Sequence, residues 1–358
     1  MTWRGSARDW LGAAELRLPT VSAARCVHSQ AAVASCRACV ERCPTGAWVI
    51  DDERLGIAVD RCDGCGICAA VCPEGAIAAS FGPARFEVED RGLALAACDR
   101  AVADDDAADP GAGLMPCLHV LGVRTLLELY RSGVRQLVLC RDDCARCRRG
   151  EGIGIDEHLD QVQRLLRDRQ LERFEVLELT ARAWLAKRRE SRARHRAPEI
   201  GRRGLFRGIL STATEATAEL AARTDPARVD FVAPGRLLPR PAASLLSLHA
   251  PRIDPHHCTG CDACARLCPH AVIGVEALAY RVDPDGCTGC GLCADACASG
   301  AISVSRLDPS PLRELPLRTG HCPACGLDFH LPSAQPALPE GLCPVCAVTR
   351  QRADRVKG

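Results

Sequence analysis

Seven cysteines recur at a constant offset of 225 residues: Cys36, Cys39, Cys43, Cys62, Cys65, Cys68 and Cys72 reappear as Cys261, Cys264, Cys268, Cys287, Cys290, Cys293 and Cys297. The second copy starts one cysteine earlier, at Cys258. It holds two triplets of the form C-x2-C-x2-C, each followed four residues later by a fourth cysteine. This repeat limits the fold more than any hydrophobic pattern does. The chain has 25 cysteines in 358 residues and only 3% aromatic residues, so large buried rings cannot carry its cores. An odd cysteine count arranged in triplets argues against a disulfide framework, and free thiolates need a reducing environment. Bound metal centres are therefore expected to supply part of the folding free energy.

The spacing resembles that of bacterial-type ferredoxins with two [4Fe–4S] clusters, over roughly residues 24–80 and 252–305. In that family three close thiolates bind one cluster and the fourth crosses to the other. The resemblance implies Cys258, Cys261, Cys264 and Cys297 for one cubane and Cys287, Cys290, Cys293 and Cys268 for its neighbour. In the first copy it implies Cys62, Cys65, Cys68 and Cys43 for one cluster, and Cys36, Cys39 and Cys72 for the other. The regular position of the missing fourth ligand is Val33, and Cys26, carried on a seven-residue insertion, is the substitute. A three-cysteine site, with a [3Fe–4S] cluster or an open iron, is the alternative there. Zinc is disfavoured for the eight cysteines of the second copy, because tetrahedral zinc motifs use paired cysteines. The second copy has Ala298 where the family usually carries proline, which alters a backbone constraint and no ligand. Short apolar stretches at Trp48–Ile50 and Ile57–Val59 predict small strands covering a cluster.

Between the copies lie Cys98, Cys117, Cys140, Cys144 and Cys147. Their surroundings predict a small α/β layer. Strands are expected at Leu93–Ala97, Gln136–Leu139 and Phe174–Leu179, and helices at Val120–Arg131 and about 156–170. Cysteines at strand ends would gather on one sheet edge, where open α/β sheets place ligands. Pro116-Cys117, Leu126-Leu127-Glu128-Leu129 with Gly133-Val134, and Leu137-Val138-Leu139-Cys140 followed by Cys144 and Gly150 resemble the iron–sulfur (delta) subunit of methyl-viologen-reducing hydrogenases. That resemblance implies a [2Fe–2S] cluster on Cys98, Cys117, Cys140 and Cys144, with Cys147 as a substitute. It also implies electron passage between a hydrogenase or formate dehydrogenase and a disulfide reductase. Two other readings stay open for these cysteines. Cys140-x3-Cys144-x2-Cys147 has the spacing of a radical S-adenosylmethionine cluster, although Arg146 stands where an aromatic residue is usual. Alternatively, the cysteines are small buried apolar residues.

Residues 181–251 are arginine-rich and then proline-rich, and predict a solvated linker. Within it, residues 202–210 set Leu205, Phe206, Ile209 and Leu210 beside Arg202, Arg203 and Arg207, a pattern able to meet an acidic partner or an anionic membrane surface. In the tail, Cys322-x2-Cys325 and Cys343-x2-Cys346 form two knuckles that predict a zinc ribbon, with rubredoxin-like iron as the alternative.

The expected fold class is a multidomain α+β chain. It would comprise an N-terminal extension (1–23), a ferredoxin-like 2[4Fe–4S] module (24–91), a small α/β middle domain (92–180), the linker (181–251), a second ferredoxin-like module (252–308) and a zinc ribbon (318–350). A net charge of +1 gives no basis for binding nucleic acid, no apolar run is long enough to span a membrane, and Met1–Pro19 lacks the apolar core of a secretory signal. No nucleophile–base pair or nucleotide-binding glycine loop is evident, and His119 and His270 read as packing or surface residues. The expected function is cytoplasmic single-electron transfer through four [4Fe–4S] clusters and one [2Fe–2S] cluster, beside one zinc, to or from a partner oxidoreductase. The alternative is an iron–sulfur assembly or redox-regulatory protein that contacts partners through the ribbon and the basic segment.

Overall fold

A computed structural model describes residues 18–50, 55–88, 91–102, 113–150, 154–195, 231–241 and 244–357. The chain divides into two compact units: Met1–Ala32, Arg37–Val232 and Leu237–Ala242 form one, and Val33–Cys36, Ala233–Arg236 and Ala243–Gly358 the other. The segment 202–210 lies outside the described residues.

The first unit opens with the elements that carry the first cysteine repeat. These are β1 (Thr20–Val21), α1 (Val27–Gln30), α2 (Ala38–Glu41), β2 (Trp48–Ile50), β3 (Leu55–Ile57), α3 (Ile67–Val71) and β4 (Ile77–Ala78). Strands β1 and β4 pair antiparallel, so this layer begins ahead of the boundary expected at residue 24. Strand β3 runs two residues earlier than Ile57–Val59, because Trp48 pairs with Ile57 and Ile50 with Leu55. That register leaves Val59 exposed.

Next comes a five-stranded sheet built from β5 (Ala84–Val88), β6 (Arg91–Cys98), β7 (Leu114–Met115), β8 (Val134–Cys140) and β9 (Glu175–Glu178), in the order β5-β6-β8-β9 with β7 beside β6. β6 is parallel to β7 and β8, and β8 to β9. Leu93–Ala97 and Leu137–Leu139 are at most 2% exposed, as expected of central parallel strands covered on both faces. Helices α4 (Val123–Arg131) and α5 (Ile155–Asp168) bury Leu126, Leu127, Leu129, Ile155, Val162, Leu165 and Leu166, the stripe their helical spacing predicts.

The linker expectation needs correction at its start. Residues Ala181–His195 form a helix, α6, and Trp184 packs with Leu93, Leu95, Val138 and Ala84 at 0% exposure. Its indole Nε1 donates to the Val138 carbonyl at 3.3 Å. One large ring docked on the sheet outweighs the arginine-rich composition around it.

The second unit contains β10 (Ser247–Ile253), α7 (Ala263–Leu267), β11 (Ile273–Val275), β12 (Ala279–Val282), α8 (Leu292–Asp295), β13 (Ile302–Asp308), β14 (Glu314–His321), β15 (Asp328–Pro332) and α9 (Pro344–Lys357). β10 pairs antiparallel with β13, as β1 does with β4. β10 also begins five residues inside the expected linker. The tail is not detached from this layer: β14 pairs with β12 on one side and β15 on the other, giving one sheet of order β11-β12-β14-β15.

Candidate metal centres

The triplets starting at Cys62, Cys258 and Cys287 each sit on a loop leading into a short helix, α3, α7 or α8, and each crossing cysteine follows the end of the companion helix. One recess in the first unit is walled by Cys43, Cys62, Cys65 and Cys68, with Pro44, Trp48 and Ile57. Its counterpart in the second unit is walled by Cys268, Cys287, Cys290 and Cys293, with Val272, Leu292 and Val304. A third set gathers Cys258, Cys261, Cys264 and Cys297 closely enough for their charges to interact.

The thiols in these hollows are poorly placed to ionise alone. Burial pushes Cys65 to about 12, and Cys287 and Cys293 likewise to about 12, with neighbouring cysteines adding to the rise at Cys287 and Cys293. Cys68 is driven up further by burial and by Cys65, Cys62, Cys39 and Cys43. Four mutually repelling thiolates in an apolar hollow need a cationic centre among them, so the donor set fits an iron–sulfur cluster.

The crossing cysteines are handled alike in all four places. The amide of Ala47 donates to Cys43 Sγ at 3.3 Å, Ala76 to Cys72 at 3.2 Å, Val272 to Cys268 at 3.4 Å and Ala301 to Cys297 at 3.2 Å. At Cys43 and Cys297 burial alone would raise the thiol. Hydrogen bonds from Thr45 and Ser299 and from nearby amides outweigh it and draw both below the ordinary value. Such bonds to sulfur help set a cluster's potential.

The remaining assigned cysteines divide between the units. Cys39 is buried with Trp48, Cys68 and Ile77, and Cys72 packs against that group. Cys26 caps α1 in the same unit, whereas Cys36 belongs to the second unit.

In the middle domain a recess at the strand ends is lined by Cys98, Cys117, Cys144 and Cys147, with Arg100, Pro116, His119 and Gly150. Cys140, grouped with them by family likeness, is not on that wall. Side chains alternate along a strand, so Cys140 follows Val138 into the core against Trp184, while Cys98 leaves the core face that Ala97 occupies. Burial pushes Cys117 to about 12, and Cys98 and Cys144 lie near enough to add to it. His119 Nδ1 accepts the Ile155 amide at 3.1 Å, and its Nε2 is buried without a hydrogen-bond partner in the protein. Four thiols and an unsatisfied buried nitrogen fit a bound centre better than a plain core.

Sequence spacing gave no hint of how this recess meets the first cysteine repeat. Cys65, Ile67 and Cys117 form one buried group. Arg149 spans the junction: its Nε donates to Asp63 Oδ2 at 2.7 Å and its Nη1 to the Pro116 carbonyl at 2.6 Å. Asp63 in turn accepts the Cys65 amide at 3.2 Å, inside the Cys62–Cys65 loop. Arg149 is 19% exposed and Asp63 25%. Replacing Arg149 by methionine should cost about 2–3 kcal/mol of unfolding free energy, a hydrogen-bonded ion pair largely removed from water. Chemical denaturation would measure it, and a loss under 0.5 kcal/mol, about the noise of a surface substitution, would mean the pair is solvent-screened.

In the tail, Cys322, Cys325, Cys343 and Cys346 place their sulfurs within 4.8 Å of one another, a fit for one tetrahedral ion and too tight for a cubane. The amide of Cys343 donates to Cys322 Sγ at 3.3 Å and is the main influence drawing that thiol down to about 6. A thiol so poised is a ready metal ligand.

Among the described residues no helix is long and apolar enough to cross a membrane. No curated protein matches the chain. Residues 34–77 match a family model described as a 4Fe-4S dicluster domain, and residues 250–298 match a second model of the same description. The chain thus carries two ferredoxin-type 4Fe-4S dicluster domains, which support an iron–sulfur electron-transfer role.

Proposed function

We propose that the protein is a non-catalytic relay subunit of a reducing cytoplasm, passing single electrons to or from a partner oxidoreductase of formate dehydrogenase, hydrogenase or disulfide-reductase type. Four [4Fe–4S] clusters would occupy the sets Cys43/Cys62/Cys65/Cys68, Cys26/Cys36/Cys39/Cys72, Cys258/Cys261/Cys264/Cys297 and Cys268/Cys287/Cys290/Cys293. For the set containing Cys26 and Cys36 the support is spacing. A [2Fe–2S] cluster would take Cys98, Cys117, Cys144 and Cys147, the four cysteines that line the middle recess, and zinc would take the tail tetrad. Bound clusters supply reversible one-electron chemistry; the chain's residues gather the thiolates, exclude water and place the centres close together.

The observation that carries this reading is the continuity of the thiol sites in the first unit. Cys39 lies beside Cys68, and Cys65 and Cys117 share one buried group with Ile67, beside the Arg149–Asp63 pair. Each of the three recesses described above carries a set of four cysteines on its wall.

The test is elemental analysis of anaerobically purified protein. The ligand sets predict about 18 iron, about 18 acid-labile sulfide and about one zinc per chain. A result near 16 iron and 16 sulfide would remove the middle centre and leave that domain a docking or structural role.

A further inference from the structure

In three triplets the residue after the second cysteine adopts a left-handed backbone. Two of these residues are glycines, Gly66 at φ 74° and Gly291 at 82°, but the third is Asp262 at φ 61°. Aspartate tolerates that conformation only with strain, which persists where surroundings impose it. Here the surroundings are identifiable. Asp262 Oδ1 accepts from Tyr280 Oη at 2.7 Å and from His330 Nε2 at 2.8 Å, and the two rings meet edge to face at 5.7 Å. Tyr280 lies on β12 and is 1% exposed; His330 lies on β15, in the hairpin whose turn bears Cys322 and Cys325.

Two further contacts join the same hairpin region to the same loop. Gly260, at φ 67°, is so close beneath β15 that a Cβ there would fall 2.0 Å from the His330 carbonyl oxygen. Gln335 Nε2 donates to the Cys258 carbonyl at 2.7 Å and to the His256 carbonyl at 3.1 Å. Positions 258, 260 and 262 are therefore all held from the tail. The hairpin is itself tied at one end by its pairing with β12 and at the other by the Cys322–Cys325 knuckle, which closes on Cys343 and Cys346.

We propose that the tail is a metal-dependent latch on one cluster site. A divalent cation at Cys322, Cys325, Cys343 and Cys346 fixes the β14–β15 hairpin. Through His330 and Gln335 the hairpin then holds the Cys258–Cys264 loop in its ligating shape. His330 and Gln335 are positioning residues for that centre, and the paired site at Cys268, Cys287, Cys290 and Cys293 is independent of them. The inference rests on the cluster assignment made above for Cys258, Cys261, Cys264 and Cys297.

The experiment is iron release from the full-length anaerobic protein to a ferrous-iron chelator, followed by absorbance, in four forms: unaltered, His330→Gln, Gln335→Ala and Cys346→Ser. In each variant about four iron atoms per chain should leave about tenfold faster, the effect of losing hydrogen bonds of this kind, with the rest unchanged. Adding Cys261→Ser should abolish the fast phase. Gln335→Ala leaves the tail tetrad intact, so a folding failure of Cys346→Ser does not remove the test. Release at the unaltered rate in Gln335→Ala and His330→Gln, or equal acceleration of all the iron, would overturn the latch. Should Cys261→Ser alone contain as much iron as the unaltered protein, the fault lies in the cluster assignment.

Discussion

Serine in place of Cys68 should remove about four iron and about four sulfide per chain, the content of one cubane. Cys68 stands where Cys62, Cys65, Cys39 and Cys43 converge, and burial together with their charges makes its thiolate untenable without a metal centre. A serine hydroxyl there is a harder and far less acidic donor. The remaining cubanes should stay, because their ligand sets do not include Cys68. Iron and sulfide analysis, with electron paramagnetic resonance of the reduced protein, would show one signal missing. Unchanged iron content would mean that the Cys43/Cys62/Cys65/Cys68 hollow holds no cluster.

Alanine at Gly150 should abolish the middle centre while sparing both dicluster domains. A Cβ at this position would sit 1.9 Å from the Cys144 carbonyl oxygen and 3.1 Å from that of Cys147, and its amide already bonds the Cys147 carbonyl at 2.8 Å. The clash is with backbone on both sides, so the turn carrying Cys144 and Cys147 must open and withdraw two of the four thiols lining the recess. Iron should fall by about two per chain. Cys140→Ser is the matched control: Cys140 packs in the core behind the recess, so that variant should lose stability but keep its iron. The reverse pattern, with iron lost in Cys140→Ser and kept in Gly150→Ala, would restore Cys140 as a ligand and exclude Cys147.

A good deal of the architecture is legible from residue order alone. The 225-residue repeat exposes both cysteine modules, because thiolates that share a cluster must fall at short fixed intervals on a tight loop. The knuckles at Cys322 and Cys343 follow from the same local geometry. Strands β6 and β8 and helices α4 and α5 are visible because each buries a continuous run or a regular stripe.

Where charge and burial compete, composition misleads. Arginines at 182, 188, 189, 192 and 194 read as a linker, yet a single indole, Trp184, anchors that segment as a helix on the sheet.

Tertiary structure alone decided which cysteines meet across long separations. Strand alternation put Cys140 with Val138 and Trp184 in the core and Cys98 on the recess wall, although the two thiols stay close enough for Cys98 to add to the rise that burial gives Cys140. Contacts made by Arg149 to Asp63, and by His330 and Gln335 to the Cys258 loop, join residues 86, 68 and 77 positions apart. Local spacing encodes the ligands of a centre because those ligands share a loop. Its neighbours depend on how separate elements pack, and no short-range pattern in the chain records that.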